Sequence, residues 1–351
     1  MPTMLAAVLH DCDDLRLEQV PRPRAEGHGE VVVQIAACGF CATDYKAIRG
    51  LRTNVEFPLI CGHEPSGVVA EVGPGVTQFR VGDPVIVSPS GFCGLCRNCR
   101  LGRTHYCEHA WTTGGDGPTD VRPGAFAEYM KTEQCSLYPK PPNVTFAAAA
   151  LTEPLSGAWK GVIKASELRV GEDVVVIGVG GIGLLCAMVA RAAGAARVVA
   201  IDPSPFARRH ALACGATHGV DPVIADPYEQ VYDIMPDGPD LVIEAAGPIQ
   251  AVELMVRLRR RGTRWNVFGI TTHETFELDG GLTHFLEGRM DASFGTNPEA
   301  MIHAIGLMEH RLVDPEKIIT HRFPLEAMDE ALEAMAGGDR NKVLICPHDC
   351  D

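Results

Sequence analysis

The chain has 351 residues, more than one hydrophobic core usually supports, so two domains are expected. With 46% apolar and 22% charged residues, it has the composition of a folded globular protein, which argues against disorder. A formal net charge of -14 at pH 7 disfavours nucleic acid as a partner, because proteins that bind a phosphate backbone normally present a basic face.

The beginning of the chain, MPTMLAAVLHDCDDLRLEQV, has no basic leader before an apolar run, and no stretch of about eighteen uncharged apolar residues follows. We therefore expect a cytoplasmic protein that does not enter a membrane. In a reducing compartment, thirteen cysteines are better explained by thiolate chemistry or burial than by disulfide bonds.

Short β-branched runs separated by Pro and Gly fill the first part of the chain, among them EVVVQI, SGVVAEV and DPVIVS. This pattern predicts an irregular β-barrel. Two segments within it, ACGFCATDYK and ICGHEPSG, supply potential metal ligands and polar neighbours, namely Cys38, Cys41, Thr43, Asp44, Cys61, His63 and Glu64. A metal here would be assembled from separated segments, and such an arrangement favours an open, catalytic site.

Four cysteines lie close together in the segment CGLCRNCRLGRTHYC, residues 93–107. Cys93, Cys96, Cys99 and Cys107 have the spacing C-x2-C-x2-C-x7-C, which suits the four tetrahedral thiolates that Zn2+ prefers. A disulfide knot requires an oxidising compartment, and iron-sulfur clusters usually have other spacings. We therefore predict a structural zinc whose four protein ligands leave no position open for chemistry.

A glycine-rich turn joins an apolar strand to a helix in EDVVVIGVGGIGLLCAMVARAAGA, residues 172–195. Gly178, Gly180 and Gly183 form G-x-G-x-x-G, and the residues between them are Val179, Gly181 and Ile182. The pattern carries weight here because it follows a β-branched run and opens a helix. It predicts a dinucleotide site, in which the pyrophosphate lies at the helix N-terminus.

The next strand, RVVAID, ends at Asp202. A carboxylate at this place hydrogen-bonds the ribose hydroxyls of NAD and repels the extra phosphate of NADP, so we predict NAD. Arg208 and Arg209 follow closely, and a nearby arginine can accommodate a 2′-phosphate. We interpret both arginines as solvated or near the adenosine.

Strand and helix patterns then alternate through FARRHALACGA, DLVIEAAG, IQAVELMVRLRRRG and WNVFGI. This alternation predicts an α/β domain with a parallel, doubly wound sheet. The C-terminal part is expected to return to the barrel. We place the catalytic domain at residues 1–155 and 291–351 and the cofactor domain at residues 156–290.

Five motifs in this order resemble the zinc-containing medium-chain alcohol and polyol dehydrogenases, namely CGFCATD, GHE, the four-cysteine segment, EPL and GVGGIG. The segment ITHRFPLEAMDEALEAM looks like the terminal segment of that family, so the resemblance runs nearly end to end. Sorbitol dehydrogenases and threonine dehydrogenases are the similar members. The resemblance implies a GroES-like catalytic barrel, a Rossmann cofactor domain, and a homodimer or homotetramer.

The same resemblance implies roles for individual residues. Cys41, His63, Glu64 and Glu153 would hold a catalytic zinc, with Glu64 binding directly or exchanging with water. Asp44 would orient His63, since ligating imidazoles normally donate their other N–H to an acceptor. Thr43 would accept the substrate proton. Lys46 stands where many members have a relay histidine; it would relay a proton only with a depressed pKa, and otherwise would contact the ribose or phosphate of the cofactor. Cys38 and Cys61 fall outside the ligand pattern and are expected to be buried thiols.

The implied reaction transfers a hydride between a secondary alcohol, polyol or amino alcohol and NAD, with zinc polarising the substrate oxygen. The segment ASFGTN, residues 292–297, lacks the arginine that the polyol branch commonly carries, which weakens a sugar assignment. Three alternatives stay open. They are a zinc-free NADPH-dependent quinone or enoyl reductase, a zinc module that binds a macromolecule, and a lyase or epimerase that uses bound NAD.

Overall fold

The computed structural model describes residues 2–52, 55–115, 120–270 and 275–348. The chain forms two compact units. The first comprises Met1–Glu153, Thr296–His310 and Ile319–Asp351, and the second comprises Pro154–Gly295 and Arg311–Ile318. None of the helices in the described ranges combines the length and the apolar character needed to cross a bilayer.

Short strands dominate the first unit, and strands alternate with helices in the second. In chain order the strands are β1 (Thr3–Asp11), β2 (Asp14–Pro21), β3 (Glu30–Phe40), β4 (Leu59–Ile60), β5 (Glu64–Val72), β6 (Pro84–Val87), β7 (Ser90–Gly91), β8 (Trp111–Thr113), β9 (Asp120–Arg122), β10 (Tyr129–Glu133), β11 (Leu137–Pro139), β12 (Asp173–Ile177), β13 (Arg197–Ile201), β14 (His218–Val220), β15 (Leu241–Glu244), β16 (Arg264–Val267), β17 (Arg289–Ala292), β18 (Ile319–Pro324) and β19 (Lys342–Cys346). The helices are α1 (Ala42–Ile48), α2 (Arg97–Arg100), α3 (Phe146–Ala150), α4 (Thr152–Trp159), α5 (Gly181–Ala192), α6 (Pro205–Ala213), α7 (Pro227–Ile234), α8 (Ile249–Arg257), α9 (Gly280–Leu286), α10 (Pro298–Glu309) and α11 (Met328–Ala336).

Mostly antiparallel pairing organises the first unit. Its largest sheet has the order β11-β6-β5-β3-β19-β18, with β10 also paired to β3, and a smaller sheet has the order β2-β1-β4. Register shifts in β3 against β5 mark bulges, which bend a sheet and increase its twist. The irregular β-barrel predicted from the β-branched runs is confirmed, and the C-terminal strand β19 closes against β3.

The core of the first unit lies around β3. Val31, Val32, Val33 and Ile35 are all 0% exposed, because β-branched side chains pack well on a pleated surface. Cys38 and Cys61 belong to the same core and are buried, as predicted. Burial, strengthened by the charge of Asp44, raises the pKa of both thiols, so they stay neutral and unreactive.

A six-stranded parallel sheet forms the centre of the second unit. Its order is β14-β13-β12-β15-β16-β17, so the chain winds outward from β12 in both directions. The predicted doubly wound sheet is confirmed, and its topological switch point lies where β12 and β15 are neighbours. Strands β12 and β15 are buried along their whole length, which explains why they read as continuous apolar runs.

The unit boundaries differ slightly from the predicted domain limits. The first unit resumes at Thr296, not at residue 291, because β17 pairs with β16 and stays with the parallel sheet. Its sequence, RMDA, contains no β-branched run, so no strand is predicted there. Residues 311–318 also belong to the second unit, although the sequence places them in the catalytic domain.

Candidate active site

Three of the predicted metal ligands meet in the first unit. Cys41 is the N-cap of α1, His63 immediately precedes β5, and Glu64 is the first residue of β5. One ligand atom from each of the three side chains lies within 4.8 Å of the others. His63 is 5% exposed and Glu64 is 1% exposed. A thiolate, an imidazole and a carboxylate form a donor set that fits zinc, and three protein ligands leave a fourth position for substrate.

The carboxylate of Asp44 fixes both ligand-bearing segments. Its Oδ1 accepts the main-chain N–H of Gly62 at 3.0 Å and lies 3.2 Å from Nδ1 of His63. Its Oδ2 accepts the main-chain N–H of Cys41 at 3.0 Å. A proton on Nδ1 serves the contact with Asp44, which leaves Nε2 of His63 for a metal.

The hydroxyl of Thr43 lies beside the position that a metal would take. Its Oγ1 is 3.5 Å from Nε2 of His63. A group placed there can receive a proton from a substrate hydroxyl, which is the role predicted for Thr43. Lys46, on the same helix, is exposed.

Glu153, the fourth predicted ligand, lies outside this group. It occupies the first turn of α4, and the set of described side chains whose ligand atoms meet here consists of Cys41, His63 and Glu64. Glu153 instead acts by charge on Lys342, a buried lysine of β19. The structure therefore brings together three of the four ligands predicted for the catalytic zinc.

The four cysteines of residues 93–107 do converge. Their ligand atoms lie within 4.8 Å of one another, and the Sγ–Sγ distance is 3.6 Å for Cys93 and Cys107 and 4.0 Å for Cys96 and Cys107. A tetrahedral zinc with bonds of about 2.3 Å requires sulfur atoms about 3.8 Å apart, so the donor set fits the metal. Main-chain N–H groups, first that of Cys99, lower the pKa of the Cys96 thiol to about 6, whereas burial raises the pKa of the Cys99 thiol to about 12. Zinc would therefore have to displace the proton of Cys99.

The glycine-rich turn lies directly after β12. Gly178 has a φ of +81°, and an added Cβ on Gly183 would lie 1.9 Å from the main-chain oxygen of Gly178. Gly180, the N-cap of α5, faces open space at its Cβ position. Gly178 and Gly180 line a cavity of about 700 Å³, together with Asp202, Ala245 and Ala246. Each glycine therefore has the geometry that its predicted role in holding a pyrophosphate requires.

Asp202 is fixed to the turn beside this cavity. Its Oδ2 accepts the main-chain N–H of Val179 at 3.0 Å, and its Oδ1 accepts that of Ser204 at 2.9 Å. A carboxylate has about four acceptor positions, so two remain for the hydroxyls of a ribose. The residues fit an adenosine dinucleotide.

Comparison with known proteins supports both units. Residues 27–142 match the family model of the alcohol dehydrogenase GroES-like domain, and residues 181–310 match that of the zinc-binding dehydrogenases. L-threonine 3-dehydrogenase of Mesorhizobium japonicum is 32% identical over 338 residues, covering 94% of each chain. The chain belongs to the zinc-binding alcohol dehydrogenase family. This confirms the resemblance inferred from the five motifs.

Two further proteins are similar to this dehydrogenase. Sorbitol dehydrogenase of Bacillus subtilis is 30% identical and covers 94% of this chain and 93% of its own. A solved structure of a zinc-binding dehydrogenase of Sinorhizobium meliloti 1021, bound to NADP, has a TM-score of 0.90 and 28% identity. It covers 99% of this chain and 100% of its own. The dehydrogenase is therefore an oxidoreductase with the two-domain fold of its family.

The dehydrogenase has one site residue that its sequence did not reveal. Lys342 is 7% exposed, and its Nζ lies 2.6 Å from Oε1 and 2.5 Å from Oε2 of Glu64. Gly39 on β3 makes room for this pair, because a Cβ there would lie 1.9 Å from Oε2 of Glu64. The pairing of β19 with β3 brings Lys342 to the site, and no local sequence pattern links two residues 278 positions apart.

Charge governs the protonation of this cluster. Burial by itself would lower the pKa of Lys342, but Glu64, Cys41 and Glu153 outweigh it and raise that pKa. Burial would likewise lower the pKa of His63, whereas Asp44 and Cys41 raise it above its ordinary range. A metal that binds Nε2 of His63 must therefore displace a proton from the imidazole.

Proposed function

We propose that this dehydrogenase oxidises a secondary alcohol with a hydroxyl or amino group on the neighbouring carbon, and that it reduces NAD in doing so. The reverse direction reduces the matching ketone. The observation that carries this proposal is the three-ligand cluster of Cys41, His63 and Glu64 with the hydroxyl of Thr43 beside it. Threonine and sorbitol, which the two curated relatives are named for, both contain such a carbinol carbon.

Residues of the first unit have separate roles in the oxidation of the alcohol. When bound, zinc supplies Lewis-acid chemistry and NAD supplies the hydride acceptor. Cys41, His63 and Glu64 would hold the metal, and Asp44 keeps His63 in the tautomer that leaves Nε2 available. Thr43 would accept the substrate hydroxyl proton while its own hydroxyl proton passes to water. Glu153, which lies outside the cluster of Cys41, His63 and Glu64, would be a further carboxylate for the metal, as the family resemblance implies.

A second zinc belongs, in this proposal, to the four cysteines of residues 93–107. All four positions of that metal are filled by thiolates, so it holds the loop in shape and does no chemistry. Two zinc ions per chain are therefore expected.

NAD is the proposed cofactor because Asp202 presents a carboxylate where the ribose hydroxyls would bind. In this proposal the main-chain N–H groups of Gly181 and Ile182 bind the pyrophosphate, Val179 positions Asp202 through its own N–H, and Lys46 binds the ribose or phosphate of the cofactor. A homodimer or homotetramer in the cytoplasm is proposed from the family alone.

The test is a panel of alcohols assayed for NADH formation by absorbance, together with metal analysis. The panel contains L-threonine, 2,3-butanediol and sorbitol, with ethanol as a primary alcohol for comparison. We expect turnover of at least one vicinal amino alcohol or diol, faster than that of ethanol, and two zinc ions per chain. Protein without zinc that oxidises NADPH with a quinone would instead support the reductase alternative.

A further inference from the structure

Arg208, one of the two arginines that follow Asp202, is held by an aspartate. Its guanidinium Nη2 lies 2.6 Å from Oδ2 of Asp221, and its Nη1 donates to the main-chain oxygens of Asp202 at 2.6 Å and Pro203 at 2.9 Å. The side chains of Arg208 and Asp221 are only 16% and 15% exposed. This arginine, predicted to be solvated or near the adenosine, is therefore fixed in a partly buried ion pair.

This ion pair lies at the wall of the cavity that Gly178 and Gly180 line. Asp202 and Pro203, whose main-chain oxygens bind Arg208, both line the cavity. Pro222, which follows Asp221, lines it as well. Arg208 is thus anchored next to the carboxylate that would meet the ribose, but its own donors point to Asp221 and to the main chain.

We propose that Asp221 is a specificity-determining residue that selects NAD by keeping Arg208 away from a 2′-phosphate. The inference rests on the proposed nucleotide-binding function of the second unit. An arginine is the residue best suited to a phosphate, because its planar group of donors matches two phosphate oxygens. Asp221 binds Nη2 of Arg208 and offsets the charge of the guanidinium, so that the carboxylate of Asp202 leaves the ribose end net negative.

The substitution Asp221→Asn removes this competition with little other change. Oδ1 of Asp221 accepts the main-chain N–H of Val223 at 2.9 Å, and an asparagine keeps that acceptor. The amide nitrogen in place of Oδ2 cannot accept a hydrogen bond from Arg208. Nη2 of Arg208 is then available to a phosphate on the ribose, while Nη1 keeps its bonds to the main-chain oxygens of Asp202 and Pro203.

The same cavity offers a matched control. Arg257 lines it and lies 2.9 Å from Oδ2 of Asp226, in a pair whose side chains are 53% and 44% exposed. Asp226 is the N-cap of α7, and asparagine is an equally good cap. Asp226→Asn therefore also frees an arginine at the cavity, but this arginine has no contact with Asp202 among the described hydrogen bonds.

Calorimetry with 5′-AMP and 2′,5′-ADP tests the inference on the full-length, zinc-loaded protein. Both probes contain only the adenosine end of the cofactor, so their binding does not depend on a substrate or on hydride transfer. The variants are Asp221→Asn, Asp202→Gly, the two combined, the combination with Arg208→Ala added, and Asp226→Asn. The wild-type protein is expected to prefer 5′-AMP.

Asp221→Asn is expected to tighten 2′,5′-ADP binding by about tenfold, because a hydrogen-bonded charge pair with the phosphate is gained. The gain should be larger with Asp202→Gly, should vanish with Arg208→Ala and should be absent in Asp226→Asn. No gain in either background, a gain that survives without Arg208, or an equal gain in Asp226→Asn would overturn the inference alone. Wild-type protein that binds neither 5′-AMP nor NAD would overturn the proposed function as well.

Discussion

Three N–H groups point at the carboxylate of Asp44, namely the main-chain groups of Cys41 and Gly62 and Nδ1 of His63. In Asp44→Asn the amide NH2 replaces one acceptor and opposes at least one of these donors. We expect zinc affinity at the Cys41 site to fall by about 10 to 100-fold, the usual cost of losing a group that orients a ligating histidine. Metal analysis after dialysis against chelators of graded strength measures this loss.

The four-cysteine zinc serves as the internal control for Asp44→Asn, because Asp44 has no part in that cluster. The zinc of the four cysteines should therefore remain after mild dialysis. Dehydrogenase activity should be lost in parallel with the zinc of the Cys41 site. Retention of both ions at every chelator strength, with wild-type activity, would mean that Asp44 does not position His63.

Lys342 and Glu64 form a buried ion pair, and removing one partner of such a pair leaves an uncompensated charge. Lys342→Met is therefore expected to destabilise the metal-depleted protein by about 3–5 kcal/mol. With zinc bound, the metal supplies a second cation for Glu64 and the loss should be smaller. Thermal melting of the variant and the wild type, each with and without zinc, gives the comparison.

The double variant Lys342→Met, Glu64→Gln separates the charge effect from the loss of the lysine side chain. It removes both charges, so the metal-depleted protein should recover most of the stability that Lys342→Met loses. If the double variant melts as low as the single one, the pair is not what stabilises this part of the barrel.

At the scale of elements, the loop of residues 93–107 depends on its metal more than on apolar packing. Its helix α2 has four residues, and none of them is buried. Cys96→Ser is expected to remove one zinc and lower the melting temperature while much of the activity is kept. Cys41→Ser is expected to abolish most of the activity with a melting temperature near that of the wild type.

These two variants form a matched pair, since each replaces one sulfur ligand by oxygen. Equal losses of melting temperature and of activity in both would contradict the division into a structural and a catalytic metal. Melting curves, zinc content and NADH formation of the same preparations supply the three readouts.

The elements that the sequence predicted best are those whose structure depends on a pattern of neighbouring residues. Buried parallel strands read as apolar runs, which is why DVVVI and LVIE were recognisable as strands. The four cysteines and the glycine-rich turn were recognisable because metal and phosphate sites impose short spacings. The strand β17 was missed because RMDA lacks an apolar pattern and is held by pairing with β16.

No local sequence pattern indicates the contacts between distant segments. The Lys342–Glu64 pair depends on the register of β19 against β3, and the Arg208–Asp221 pair on how α6 packs beside β14. The sequence does not show whether a lysine or arginine is solvated or forms an ion pair. Only the fold distinguishes these cases, and at both places the distinction changes the chemistry of the site.

At the scale of the whole molecule, the free energy of unfolding should depend on pH through Lys160. This residue is 9% exposed, and its Nζ donates to the main-chain oxygens of Phe294 at 2.5 Å and Gly295 at 3.4 Å. Burial lowers the pKa of Lys160 from 10.5 to about 8, and no carboxylate offsets this effect. The folded protein thus binds this proton more weakly than the unfolded chain does.

The sign of the effect follows from that difference. Between pH 8 and 10.5 the unfolded chain still carries the proton on Lys160 while the folded protein has begun to lose it. Stability rises with pH wherever the unfolded state binds more protons, so Lys160 adds a stabilising slope in this window and none below it. Urea unfolding measures the free energy of unfolding of the wild type and of Lys160→Met. The difference between the two free energies should be constant up to about pH 7 and should shift in favour of the wild type above about pH 8. Lys164→Met replaces an exposed lysine of the same helical segment, Lys160–Ala165, and its free energy of unfolding should follow the wild-type dependence on pH. If Lys160→Met also follows the wild-type dependence, Lys160 keeps an ordinary pKa.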